Sequence, residues 1–218
     1  MLTVPFLILS IYALSAVIAT GSCPDNDDGW AFMAKTATMY LTERNFNTDP
    51  QKRDLTRCVS AITTNTDGKT HEIQQTLTYY NTSSTTWITF PKRFTASAWG
   101  TGTNKLNYFT ALSSSGQTLT YLVLHSEEDC LVAKVVYLSS ENLRACELWV
   151  TDSYFGNTKS SKCCDSIYKS SCEPTVQTLY KKEECANMKK TKKDKGNQTK
   201  TQIMSRIGNY KYRAILFN

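Results

Sequence analysis

The chain has 218 residues, a formal net charge of +6 and 20% charged side chains, which suits one domain with a real hydrophobic core. Eight cysteines beside only two histidines argue against a metal centre: C-x-x-C spacing is absent, and an even cysteine count in a secreted chain reads as disulfides. The charge is uneven, because residues 181–213 hold eleven Lys and Arg against three Asp and Glu, so a mildly acidic body carries a basic tail.

From Leu2 to Ala19 the chain is apolar and uncharged, with Val17-Ile18-Ala19 at a suitable cleavage point. Residues 1–19 read as a secretory signal peptide, the rival reading being an uncleaved membrane anchor. Trp30, Met33, Ala34 and Ala37 then recur at helical spacing within 28–42, after Asp27 and Asp28, either of which can cap a helix. This predicts a short N-terminal helix. Runs of β-branched and aromatic residues follow at 57–64, 70–80, 85–90, 93–99, 105–112, 118–125, 130–138 and 145–151. Turn signals such as Asn65-Thr66-Asp67-Gly68 and Asn81-Thr82-Ser83-Ser84 separate them. Such short strands in hairpin succession predict an all-β fold, an eight-stranded antiparallel up-and-down barrel. A barrel of that size holds one small ligand, whereas a sandwich would fill its interior. A C-terminal helix is predicted over 161–171 and a looser helical stretch over 175–187. The barrel domain is expected over 20–187, and 188–218 as a mobile, Lys-rich tail. Asn81 and Asn197 head N-x-[ST] glycosylation acceptors in predicted loops.

The densest chemistry lies between Cys130 and Cys164, where Glu147-Leu148-Trp149 sits on a predicted strand. Side chains at i and i+2 share a strand face, so Glu147 and Trp149 point the same way. If that way is inward, one negative charge stands in an aromatic-lined cavity, which is a receptor for a small cation. A buried Glu with no partner is costly. Glu147 therefore reads as a ligand-binding acid, as the partner of a buried Arg or Lys, or as an outward-facing side chain. Trp149 and Trp30 also read as core residues. Tyr108 and Phe109 alternate, so one faces inward, and Phe109 is kept as a candidate wall of the cavity. On the preceding strand Leu131, Ala133 and Val135 share an apolar face expected to line the cavity, with Lys134 pointing out. There is no G-x-S-x-G and no patterned nucleophile near His71 or His125, so neither an enzyme nor a cofactor is expected.

Four features together resemble the tick salivary lipocalins, of which the histamine-binding proteins are the best known members. They are the Cys…Glu-Leu-Trp…Cys spacing, Asp28-Gly29-Trp30, Asn47-Thr48-Asp49-Pro50 before Cys58, and the Cys163-Cys164 pair. The resemblance covers about residues 23–185 and leaves out the basic tail. It implies a lipocalin-like barrel that sequesters a host mediator, with Glu147 and Asp49 as the two carboxylates that hold an amine. Phe46 and Trp149 would be the aromatic walls. It also implies the disulfides Cys58–Cys185, Cys130–Cys164 and Cys23–Cys163; Cys146 and Cys172 remain and are expected to pair with each other. The departures matter as well. Where the amine binders have an acid after the first cysteine of the pattern, this chain has Leu131. Further cavity acids of the two-site amine binders fall on Pro91 and Tyr121.

The expected function is a secreted, extracellular and monomeric lipocalin that binds histamine or serotonin in its barrel and so moderates host inflammation and immune defence. One alternative is a scavenger of an apolar lipid mediator, an eicosanoid, fatty acid or sterol, held against the Leu131 face. Another is a protein-interaction lipocalin acting on complement or haemostasis. The partner is a small molecule in the first two readings. Polyanion contact through the tail is a further expectation, while nucleic acid and stable membrane insertion are not expected.

Overall fold

The computed structural model describes residues 23–47, 56–141, 143–156, 162–172, 174 and 177–190. The expected signal peptide, Asp49, Asn197 and most of the basic tail lie outside the described residues. A helical turn, α1 (Trp30–Met33), precedes eight antiparallel strands. These are β1 (Thr38–Arg44), β2 (Thr56–Asp67), β3 (Glu72–Asn81), β4 (Thr86–Ser97), β5 (Tyr108–Leu112), β6 (Thr118–Ser126), β7 (Cys130–Val135) and β8 (Cys146–Thr151). Each pairs with the next, and β1 pairs with both β8 and β2, which closes an up-and-down, lipocalin-like barrel. Helix α2 (Lys162–Ser171), the short strand β9 (Gln177–Thr178) and a helix at 182–190 follow.

The predicted barrel is present, but two strand assignments differ from the sequence reading. The expected helix over 28–42 shrinks to α1, and its second half is β1. Thr38, Tyr40 and Thr42 alternate with Met39 and Leu41, and pairing on both sides outweighs the weak helical spacing. The separate strands 85–90 and 93–99 are one strand, β4, running through Pro91. A proline is tolerated there because β5 pairs only with Phe94–Ser97, so Pro91 lies where β4 has a neighbour on one side alone. One strand missed and one split leave the count at eight. At the C-terminal end, the looser helical stretch resolves into β9 and the later helix at 182–190.

The closed end of the barrel explains Asp28-Gly29-Trp30. The Asp28 carboxylate accepts the Trp30 N–H at 2.9 Å and starts the turn. Gly29 passes so close to the wall that a Cβ there would lie 2.6 Å from Val123 Cγ2 and 2.8 Å from Phe109 Cε2. The Met33 carbonyl accepts from Thr63 Oγ1 at 2.7 Å, and Trp30 meets His71 edge-on. Asp27 is held by Lys105 and Asn107 at 2.6 and 2.7 Å.

Four disulfides join Cys23 to Cys163, Cys58 to Cys185, Cys130 to Cys164 and Cys146 to Cys172. They tie the C-terminal segment along the outside of the barrel. As a result β7 and β8 are buried on both faces. One face looks into the barrel, and the other packs Val132, Leu148 and Val150 against Tyr168 and Tyr180. Sequences buried twice lose the apolar–polar alternation of a one-sided strand.

Candidate ligand-binding site

Inside the barrel lies a cavity of about 720 Å³, within the range of about 300–1,000 Å³ usual for small-molecule sites. Its deep wall is apolar, built from Met39, Ala61, Phe109, Val123, Leu131 and Ala133. Near the mouth the lining becomes mixed, with Ser113–Ser115 and Gln117 of the β5–β6 turn facing Ile88 and Phe90 of β4. The mouth follows from topology. Beyond Phe94, toward its start, β4 has no β5 partner, and the wall parts there.

Glu147 and Trp149 both line this cavity. Glu147 is 1% exposed. The Trp149 indole N–H donates to its carboxylate at 3.1 Å, so the indole is a hydrogen-bonding partner of the acid as well as an aromatic wall. In the β7–β8 ladder, Leu131 stands opposite Trp149 and Ala133 opposite Glu147. The positions where the amine binders' acids were expected to be replaced, Leu131, Pro91 and Tyr121, all border the cavity.

The remaining candidates divide. Phe109 lines the cavity at its closed end, pressed against Gly29. Val135 continues the Leu131 face but packs with Phe46 and Ala145 rather than bordering the cavity. Phe46 is likewise set back, its ring 5.1 Å beneath the Arg44 guanidinium. Asn81 sits at the β3–β4 turn, where its Oδ1 accepts from the N–H groups of Ser83 and Ser84 at 2.9 and 3.0 Å.

Two cavity cations escaped the sequence reading. Arg44 of β1 is fully buried, lines the cavity and stands directly opposite Glu147 in the β1–β8 ladder. Strict alternation from Met39 and Leu41 would aim Glu43 inward; a bulge between Leu41 and Glu43 shifts the phase and aims Arg44 there instead. No local signal in the sequence marks that bulge. Lys92 of β4 also lines the cavity, with its ammonium 5.5 Å from the Phe94 ring centre and 5.9 Å from that of Tyr121. Among the described lining residues the charges are therefore one acid and two bases.

The groupings of possible metal ligands among the described residues bring His125 and Glu127 toward Cys164, and Glu127 and Asp129 toward Cys130. Both sulfurs are spent in the Cys130–Cys164 bond, and a disulfide sulfur is not the thiolate a metal needs.

A family model described as tick histamine binding protein matches residues 22–187. No curated protein sequence matches the chain. Among solved structures, a crystal structure of AM182 in complex with serotonin is similar at 18% identity and a TM-score of 0.49, covering 74% of this chain and 95% of that one. The major allergen Per a 4 from cockroaches is similar at 17% identity and a TM-score of 0.35, with coverages of 53% and 64%. The siderocalin Ex-FABP follows at 13% identity and a TM-score of 0.38, with coverages of 61% and 80%.

Proposed function

The chain belongs to the tick histamine-binding protein family, and on that footing we propose that it takes a biogenic amine, histamine or serotonin, into its barrel and so withdraws it from host tissue. The observation that carries this reading is the pair Glu147 and Trp149 on one wall of the cavity, Glu147 being the one acid among the described lining residues. A carboxylate in such surroundings makes short, strong hydrogen bonds to an ammonium, and an indole face attracts a cation within about 6 Å. Asp49 is the proposed second acid, brought in from the segment after β1, and Phe109 the proposed floor. Phe46 acts through Arg44 in this scheme. Four disulfides fit an oxidising, extracellular compartment. No helix among the described residues is long and apolar enough to cross a membrane. Secretion, release into a host and moderation of host inflammation complete the proposal.

Titration calorimetry with histamine and serotonin tests it. Saturable 1:1 heat from either amine, lost on Glu147→Gln, is the expected result. Absence of heat from both amines sinks the reading.

A second reading rests on a different observation. Lys92 lies over Phe94 and Tyr121 and shares the cavity with the apolar face of Leu131 and Ala133, an arrangement suited to an amphipathic acid whose carboxylate meets the ammonium. Native mass spectrometry of protein from a secretory host separates the two: co-purified fatty acid or eicosanoid, reduced by Lys92→Met, favours the lipid.

A further inference from the structure

The β3–β4 hairpin carries a motif that the ligand readings leave unused. Asn81-Thr82-Ser83 is an N-x-[ST] acceptor, and its presentation is well defined. Asn81 ends β3 and stands opposite Thr86, the first residue of β4. Its Oδ1 accepts the Ser83 and Ser84 N–H groups at 2.9 and 3.0 Å, the turn that Asn and Asp side chains form with their own backbone. On the far side of the turn, Ser84 Oγ and Thr86 Oγ1 share a hydrogen bond of 2.7 Å. Both Asn81 bonds fall on Oδ1, and neither uses Nδ2, the atom to which a sugar is joined. Thr82 to Thr86 are exposed, so the turn leaves a bulky substituent room.

The direction follows from strand register. Tyr79 and Ile88 stand opposite each other and both line the cavity. Side chains two apart on a strand share a face, so Asn81 and Thr86 are the next pair on the cavity side of the wall. The other face is covered: Tyr80 and Trp87, like Met188, pack on the cluster that holds Cys58 and Cys185. Lys189 Nζ lies 5.4 Å from the Trp87 ring centre on that side. Asn81 is thus set at the rim, one strand period beyond the lining residues Tyr79 and Ile88.

We propose that Asn81 is an N-linked glycan attachment site, and that the glycan stands at the rim of the barrel mouth, where it shields the hairpin tip from macromolecules. The inference does not depend on which ligand the cavity takes. In the transfer, Nδ2 bonds to the anomeric carbon of an oligosaccharide carried on a lipid pyrophosphate. The bond from that carbon to the pyrophosphate oxygen breaks, the lipid pyrophosphate leaves, and Nδ2 gives up one proton to a base of the transferase. Four disulfides fit passage through the oxidising compartment in which this chemistry takes place. The folded turn then houses the product, since a bulky, solubilising sugar needs a surface position.

Peptide mass spectrometry of the full chain from a secretory eukaryotic host tests the site. The peptide bearing Asn81 is expected to carry an oligosaccharide that peptide N-glycosidase removes, leaving a carboxylate there. Asn81→Asp keeps Oδ1 for the turn, removes Nδ2 and loses the sugar. Ser83→Ala leaves Asn81 in place and loses it too, while Ser83→Thr retains it. Secreted protein with Asn81 unmodified overturns the proposal, and so does sugar on Asn197 alone. Exposed loop tips are preferred sites of nicking, so subtilisin is expected to cut Asn81→Asp protein within Thr82–Thr86 several-fold faster than the glycosylated parent. Equal rates overturn the shielding.

Discussion

The indole N–H of Trp149 donates to the carboxylate of Glu147, two residues earlier on the same strand, over 3.1 Å. The strand period sets their common direction, and the closed barrel makes that direction inward. Trp149→Phe keeps most of the ring and removes the donor. A hydrogen bond to a charged group contributes about 1.5–3 kcal/mol, so urea unfolding should show a loss of that order. A loss well under 0.5 kcal/mol would mean that the carboxylate gains little from the indole.

The closed end tolerates no side chain at Gly29. A methyl group there meets Val123 and Phe109 inside van der Waals contact, and overpacking of this kind costs about 1–3 kcal/mol. Gly29→Ala should lower the melting temperature, and Gly29→Ala with Phe109→Leu should recover part of it. Calorimetric melts of the two variants check this.

Asp27 gives a pH signature. Burial pushes its carboxyl up, but hydrogen bonds from Lys105 and Asn107 outweigh that and hold it below the usual carboxylate range. A carboxyl depressed in the folded state stabilises the fold above its unfolded pKa of about 3.9 and stops doing so as pH falls through its folded value. Both side chains of the Asp27–Lys105 pair are partly exposed, so solvent screening keeps the effect below about 1 kcal/mol. Asp27→Asn should melt lower than the parent at pH 6, with the gap closing as pH drops below 3.8, the ordinary value. A gap that stays constant across that range would exclude Asp27 as its source.

The seam between β1 and β2 should be the first part of the barrel to loosen when its clip is removed. Leu179 is 1% exposed and packs on Leu41 and Val59. A disulfide closing a loop of more than a hundred residues contributes about 4–5 kcal/mol on the chain-entropy account. Cys58→Ser with Cys185→Ser should lower stability by a comparable amount. Hydrogen exchange should then quicken at the Leu179 and Cys58 amides before it does at β6 and β7. Uniform acceleration across all strands would point to global weakening instead.

The sequence by itself determined the barrel and the common direction of Glu147 and Trp149. Both follow from period-two patterning, turn residues at short intervals and the fixed geometry of a strand, all of which are local. It also supplied the family likeness, through the Glu-Leu-Trp segment between cysteines. It carried the helix on into β1 because Trp30, Met33, Ala34 and Ala37 recur at helical spacing, and only pairing with the flanking strands ends the helix at Met33 and makes Thr38–Arg44 a strand. Tertiary structure alone decided what faces Glu147. One bulge between Leu41 and Glu43 turns Glu43 away and brings Arg44 in, and Gln177, far along the chain, fixes the guanidinium. Inward or outward is settled by a phase shift that strand pairing imposes. A residue-by-residue pattern carries no record of that shift, and so the charge of the cavity wall became legible only once the barrel had closed.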